Sequence, residues 1–403
     1  MTSTAHSGAH ADTGQRRPLN PHDFLNIDFC LSEEERLIRD TVRDYVRRDL
    51  LGRIPDAYDN AYLPEDFPRA AGRLGLLGMH LQGYDCPGTS AVAYGLACLE
   101  LEAGDSGLRS FVSVQGSLAM FAIWRYGSET QKQTWLPAMA AGKAIGCFGL
   151  TEPDAGSDPS AMRTTACLED GQWVLNGSKM WITDGSIADL AVVWAKTPDG
   201  VRGFLVPRHT PGFSTRDIEH KMSLRASTTS ELVFEDCTLP SEAILPEAHG
   251  LSAPLSCLTE ARFGIIWGAV GAARACYEAA LDYASTRTQF GRPIAGFQLT
   301  QSKLVEMLTR INTSLMLALH LGELKDAGQL HPQQVSFGKL HNVQSALDVA
   351  RSARTILGAN GITLEYPVMR HMTNLESVLT YEGTGEIHTL IVGQAITGLP
   401  AFH

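Results

Sequence analysis

Tyr381-Glu382-Gly383-Thr384-Gly385-Glu386-Ile387-His388, close to the C-terminus, sets a carboxylate beside a glycine just after a helix-compatible run from Met372 to Leu379. Glycine lets the backbone turn sharply, so such a stretch can hold Glu382 out into a cleft, which is how a catalytic base is presented. An isolated acid in a loop is more often a solvated surface group. The octapeptide alone leaves both readings open, and the surrounding elements decide between them.

Bulk properties narrow the field. The 403 residues are 44% hydrophobic, ample for a large core and for two or three domains. Lys and Arg number 33 against 44 Asp and Glu, a net charge of -11, which argues against nucleic-acid binding because phosphate recognition needs a basic face. Cys30, Cys86, Cys98, Cys147, Cys167, Cys237, Cys257 and Cys276 lie far apart with no CxxC pair. Neither a zinc site nor a disulfide framework is signalled, and a reducing compartment, the cytoplasm, is expected. No apolar run reaches membrane-spanning length, so no membrane association is expected. The polar start of the chain lacks the apolar core of a secretion signal, and residues 1–29 are expected to form a mobile tail in which His6 and His10 are incidental.

From Leu31 the pattern turns helical. Ser32 and Glu35 have capping-box spacing, and Ile38, Val42, Tyr45, Val46 and Leu50 follow at helical intervals. Apolar residues three and four apart recur around 67–77, 92–101, 113–126 and 129–141, which predicts an N-terminal helical bundle over 30–143. At Ala144 the texture changes to short alternating segments separated by turn pairs such as Asp170-Gly171. Spacing this tight leaves no room for crossover helices, so 144–247 should be an antiparallel β-barrel or sandwich. Long helical patterns at about 252–285, 297–326, 332–357 and 367–395 predict a C-terminal four-helix bundle within 248–403, giving an α+β multidomain chain. The chain has no GxGxxG after a strand, no GxxxxGK[ST], no HExxH and no GxSxG. Composition and spacing stop there, at a helical protein with a central β domain.

Longer blocks carry the reading further. Phe148-Gly149-Leu150-Thr151-Glu152-Pro153-Asp154-Ala155-Gly156-Ser157-Asp158 resembles the first signature of the flavin-dependent acyl-CoA dehydrogenases. Lys179-Met180-Trp181-Ile182-Thr183, Arg287-Thr288-Gln289-Phe290-Gly291-Arg292-Pro293-Ile294, Gly358-Ala359-Asn360-Gly361 and Tyr381-Glu382-Gly383-Thr384 follow in the family's order. Within that family the segment from Asp105 to Gln115 and the tail from Ile387 to Gly398 are most similar to the glutaryl-CoA dehydrogenases.

The resemblance implies FAD as cofactor, an acyl-CoA thioester as substrate, an electron-transfer flavoprotein as acceptor, and a homotetramer. It makes Glu382 the base that takes the α proton, with a carboxyl raised by burial, while hydride leaves the β carbon for the flavin. Some family members keep the base just before an arginine on the first C-terminal helix; Ala261 before Arg262 stands there, and alanine cannot serve. Thr151, Ser157, Trp181 and Thr183 resemble flavin contacts, as do Thr384, Glu386 and Gly358. Arg287, Phe290 and Gln298 match positions that reach the adenosine diphosphate half of a flavin in a neighbouring subunit.

Arg109 carries the specificity argument. A buried arginine at the end of an acyl pocket is costly unless an anion meets it, and the distal carboxylate of a dicarboxylyl thioester is such an anion. The plainer alternative pairs Arg109 with Glu102 or Asp105 inside the bundle. Ser113, on the same helical face, could add a hydrogen bond. By resemblance, Glu102 and Tyr381 stand where glutaryl enzymes use an acid and a tyrosine in the CO2-releasing step, while Leu108 and Phe111 depart from that pattern. The expected reaction is oxidative decarboxylation of glutaryl-CoA to crotonyl-CoA. Two alternatives stay open: a flavin-dependent oxidase or oxygenase acting on another acid-bearing thioester, and an idle acyl-binding scaffold.

Overall fold

The computed structural model describes residues 19–401, so His6 and His10 lie outside the described residues. The described part of the expected tail is tied to the body. Tyr277 Oη donates to the Pro21 carbonyl at 3.2 Å, and Arg39 pairs with Asp28.

The N-terminal helices form where the periodicity places them. Helix α1 (Glu33–Tyr45) opens on a capping box in which Ser32 Oγ accepts from the Glu35 amide and the Glu35 carboxylate accepts from the Ser32 amide. After a π-helical turn at Val46–Leu50 come the short α2 (Ile54–Asp59) and α3 (Phe67–Arg73), each with proline in its first turn. Helix α4 (Ala91–Gly104) is buried on all sides except at Ala103 and is the centre of this bundle. Asp105 then caps α5 (Ser106–Ser113). A π-helical stretch, Val114–Met120, carries α5 into α6 (Phe121–Tyr126), and α7 (Glu129–Ala140) follows. The helix expected at 113–126 therefore begins a full two turns earlier, at Ser106.

Seven strands make the middle layer: β1 (Gly146–Gly149), β2 (Thr165–Glu169), β3 (Gln172–Thr183), β4 (Leu190–Thr197), β5 (Gly200–Pro207), β6 (Phe213–Asp217) and β7 (Thr229–Pro240). Their order is β1-β4-β2-β3-β7-β6, with β5 also on β4. Asp170-Gly171 closes the β2–β3 hairpin with positive φ at both residues, as a type I′ turn requires. Most pairings are antiparallel as expected, but β1–β4 and the short β2–β4 contact are parallel, so the sheet is mixed. No crossover helix is needed, because the β2–β3 hairpin itself spans the interval between the parallel partners β1 and β4.

The C-terminal layer is α8 (Ser252–Thr286), a two-stranded hairpin of β8 (Thr288–Gln289) and β9 (Arg292–Pro293), then α9 (Gln298–Asp326), α10 (Pro332–Leu357), α11 (Pro367–Thr380) and α12 (Gly385–Thr397). The helical pattern at 367–395 is thus two helices, parted by Tyr381–Thr384. Tyr381 is extended, and Glu382 and Gly383 have φ of 53° and 99°, which no right-handed helix can accommodate. Among the described residues no helix is long and apolar enough to cross a membrane.

Helix α8 spans the interface between the two helical layers, and its approach to α4 is unusually close. A Cβ on Gly271 would lie 1.9 Å from the Leu99 carbonyl oxygen. Gly271→Ala is therefore expected to lower the midpoint of thermal unfolding, at a cost of about 1–3 kcal/mol for overpacking. An unchanged midpoint in a calorimetric scan would mean that the two helices separate freely.

Candidate active site

Glu382 occupies the break between α11 and α12 in a left-handed conformation, which for a non-glycine residue persists only when its surroundings impose it. The successive carbonyls of Tyr381, Glu382 and Gly383 are all held. Arg262 Nε, from α8, donates to the Glu382 oxygen at 2.7 Å, and Lys339 Nζ, from α10, donates to Gly383 at 2.6 Å and also to Tyr381. The residue keeps partial solvent access, yet its Oε2 is buried and has no hydrogen-bond partner. Burial raises the carboxyl above the usual range, against the pull of Arg109, Lys339 and Arg262. An unpaired carboxylate oxygen with a raised affinity for protons can act as a base. Neighbouring Glu260 is turned away and bonded to Lys325 Nζ at 2.8 Å, while Ala261 is buried.

Arg109 lies fully buried on α5. Its Nε donates to Glu102 Oε2 at 2.6 Å, and one terminal nitrogen donates to the Tyr381 hydroxyl. The other terminal nitrogen, Nη1, is buried and unpartnered, as is Ser113 Oγ one helical turn on. The bundle pairing with Glu102 therefore exists and leaves part of the guanidinium fork unused. Asp105 is not its partner, being engaged by Arg370, Asn374 and the Gly107 amide. Ser106 Oγ donates to the other Glu102 oxygen at 2.8 Å, fixing that carboxylate in the plane Arg109 needs. Burial raises the Tyr381 hydroxyl, which stays a neutral phenol. Its ring faces the Arg109 guanidinium at 5.8 Å and the Lys339 ammonium at 5.7 Å.

A second cluster surrounds the first signature. Fully buried Lys179 donates to Glu152 Oε1 at 2.7 Å and to the Leu150 carbonyl at 3.1 Å. The Thr164 amide adds a bond to Glu152 at 3.0 Å, and the Met180 amide donates to the Thr151 carbonyl at 2.9 Å. Burial pushes the Glu152 carboxyl up, but these bonds outweigh it and hold it at about 2; burial brings the Lys179 ammonium down to about 8. The ion pair thus clamps the Thr151 loop onto β3, where the register against β7 slips between Lys179 and Ile182. Trp181 sits in that slip with φ 64° and is 60% exposed, an indole face presented rather than packed. Thr183, two residues on, and Thr151, tied to Met180 through its carbonyl, are half-buried, and Ser157 is exposed on the loop.

The other expected residues lie on the β8–β9 hairpin, at the end of α10 and at the start of α12. Arg287, Phe290 (94% exposed) and Gln298 line the β8–β9 hairpin and the start of α9 at the surface. Gly358 ends α10 with φ 59° and is exposed. Thr384 caps α12 by accepting from the Ile387 amide at 3.3 Å, with Glu386 exposed in the first turn. Sequence reasoning overlooked Lys339, Ser106 and Gly268, and gave His388 no role. Lys339 left a trace, a cation at the middle of the Val335, Lys339, Val343 stripe on an otherwise apolar helical face. Gly268 left none: its missing Cβ would lie 2.0 Å from Glu102 Oε2, which only the packed structure reveals.

Three family models cover the chain: acyl-CoA dehydrogenase N-terminal domain over residues 32–143, middle domain over 147–237 and C-terminal domain over 248–397. The chain is 34% identical over 375 residues to an acyl-CoA dehydrogenase of Bacillus subtilis (strain 168), covering 91% of this chain and 99% of the relative. A crystal structure of glutaryl-CoA dehydrogenase from Mycobacterium smegmatis superposes with a TM-score of 0.94 at 62% identity, covering 95% of this chain and 99% of that one. A glutaryl-CoA dehydrogenase from the same organism in complex with FADH2 gives 0.94 at 57% identity, with the same coverage.

The Glu152–Lys179 clamp has a measurable consequence. Lys179→Met leaves Glu152 buried without its counter-charge, and breaking such a pair costs about 3–5 kcal/mol. The variant is expected to unfold at markedly lower temperature and to retain less flavin after gel filtration, judged by absorbance near the flavin band. Wild-type values for both would show that the pair clamps nothing.

Proposed function

Because the chain belongs to the acyl-CoA dehydrogenase family and is an FAD-dependent oxidoreductase, we propose that it oxidises and decarboxylates glutaryl-CoA, or a close dicarboxylyl-CoA, to crotonyl-CoA and CO2. The observation that carries this reading is the pair of buried, unpartnered groups Arg109 Nη1 and Ser113 Oγ, one helical turn apart on α5. A buried donor without an acceptor is costly, and a carboxylate oxygen satisfies both.

The residues present fit a flavin: Trp181 offers an open aromatic face, and Thr151, Thr183 and the exposed Ser157 offer hydroxyls along the same clamped strand and loop. FAD, when bound, supplies the hydride acceptor for the β carbon. Glu382 takes the α proton with its free Oε2, and the flanking carbonyl bonds keep that oxygen from turning to solvent. Arg109 binds the distal carboxylate and orients the acyl chain. Its hold is tempered because Glu102 already engages Nε, so the carboxylate is bound without being locked as an ion pair. When the bond from the γ carbon to the carboxylate breaks, CO2 leaves and its electron pair passes into the conjugated thioester. The proton that Glu382 gained is then returned to the γ carbon. Tyr381, neutral and hydrogen-bonded to Arg109, keeps the guanidinium in place during both steps.

The electrons leave by an electron-transfer flavoprotein in this reading, and the active unit is a homotetramer. The second proposal rests on Arg287, Phe290 and Gln298, which lie exposed and away from the chain's own base segment. An arginine fork there suits a diphosphate from a neighbouring copy. Sedimentation is expected to give four chains, and Arg287→Ala to lower FAD retention. A stable monomer with full flavin would refute this arrangement.

Substrate choice and the base are tested together in anaerobic stopped-flow. Glu382→Gln is expected to keep the yellow flavin and lose at least about 10²-fold in bleaching rate, the usual worth of a positioned base. In the wild type that rate rises with pH through the elevated carboxyl pKa, since only the ionised form accepts a proton. Arg109→Ala is expected to lose about 2–5 kcal/mol of binding for glutaryl-CoA, with a much smaller effect on butyryl-CoA. An unchanged preference between the two thioesters would sink the carboxylate reading.

A further inference from the structure

We propose that Lys339 is a positioning residue for the base: its ammonium bridges the carbonyls of Tyr381 and Gly383 and so imposes the left-handed backbone that aims Glu382 into the cleft. The inference rests on Glu382 being the base. Lys339 is 2% exposed, and both hydrogen-bond partners of its Nζ are main-chain oxygens of the segment that parts α11 from α12.

The geometry explains why two carbonyls are needed. Left-handed φ at Glu382, followed by φ 99° at Gly383, turns the peptides on either side so that one donor reaches both oxygens. Returning Glu382 to an extended or right-handed conformation would swing one oxygen off the ammonium and rotate the side chain away. A non-glycine residue in this region is strained, so the conformation needs an imposed restraint. A lysine suits the task because its ammonium presents three donors from a compact centre. It also stands at the C-terminal end of α11, where the helix dipole favours a cation.

The surroundings leave few substitutes. Arg262 holds only the intervening Glu382 carbonyl. His388, from α12, packs against Gly383, where an added Cβ would lie 2.8 Å from its Nε2. Neither ring nitrogen makes a well-formed hydrogen bond, and burial, with the nearby Lys339 and Arg262, keeps the ring neutral against the pull of the Glu382 and Gly383 backbone. Burial lowers the Lys339 ammonium's own affinity for its proton, which the Glu382 carboxylate opposes.

The test uses FAD-loaded enzyme and anaerobic bleaching by glutaryl-CoA and butyryl-CoA, read as a limiting rate and a Kd, beside a thermal midpoint. Lys339→Met is expected to cut the limiting rate about 10²-fold for both thioesters, the scale for a displaced catalytic group, while Kd moves less than about 3-fold. Lys339→Arg, which keeps a cation with several donors, is expected to regain about 10-fold of that loss. A folded Lys339→Met enzyme bleaching at the wild-type rate overturns the proposal, as does a loss confined to Kd. If Lys339→Met does not fold, Lys339→Gln decides, since a reduced rate at unchanged Kd supports the proposal and a wild-type rate overturns it. Glu382→Gln run alongside separates the two claims: activity there refutes the base, whereas an inactive Glu382→Gln with a fully active Lys339→Met refutes the positioning role alone.

Discussion

The close approach of α8 to α4 is the constraint on which the closed end of the site depends. Gly264, Gly268 and Gly271 lie on one face of α8, and each faces something that would not tolerate a side chain: Tyr94 Oη at 2.8 Å, Glu102 Oε2 at 2.0 Å and the Leu99 carbonyl at 1.9 Å from the position of a Cβ. Across the interface Gly95 makes room for the Trp267 indole. This contact removes Glu102 and Arg109 from water altogether, and two charges so placed must find each other. Their pairing is therefore a consequence of backbone proximity, and it leaves Arg109 Nη1 and Ser113 Oγ buried without partners.

Tyr381 joins that end of the site to Glu382. Its hydroxyl takes a bond from Arg109, its carbonyl takes one from Lys339, and its ring faces both cations. The next residue is Glu382, so a single side chain links the buried guanidinium to the proposed base. Backbone strain is spread in the same way. Trp181, Phe290 and Glu382 are among the described non-glycine residues with positive φ, and all three belong to the segments assigned to chemistry or cofactor. At Trp181 the strain is set by the slip in β3 and the Glu152–Lys179 clamp, and at Glu382 by the cations beneath it.

Local signals were legible wherever the determining interactions are short in sequence. The Ser32–Glu35 capping box, the Asp170-Gly171 hairpin and the long helical periods from Ser252 onward all depend on residues within one or two turns of each other. The start of α5 was harder to place, because Asp105 caps it at once after α4 and the small residues Ser106 and Gly107 hide the period. The parallel pairing of β1 with β4 was not legible at all. Leu190–Ala195 is a continuous apolar run covered on both faces, which marks a central strand but not its partner, and which neighbour each strand takes is settled by how the sheet curls over its core of Cys147, Val193, Phe204 and Leu232. Lys339 was visible only as an anomaly, a cation on an apolar face, since the carbonyls it serves lie more than forty residues away.

What the sequence determined by itself was the inventory: a helix, sheet, helix order, a glutamate beside glycine, an arginine followed by a serine at helical spacing, and the blocks shared with a flavoprotein family. Those are matters of residue type and short spacing, and local sterics and hydrogen bonding suffice to read them. Tertiary structure alone decided which charges are dry and which of their atoms are left unpaired. Glu102 meets Arg109 on Nε and not across its fork, Asp105 is taken by Arg370, and the Glu382 oxygen is kept free. Desolvation and donor count are properties of a packed environment, built from segments hundreds of residues apart, and no run of neighbouring residues contains them.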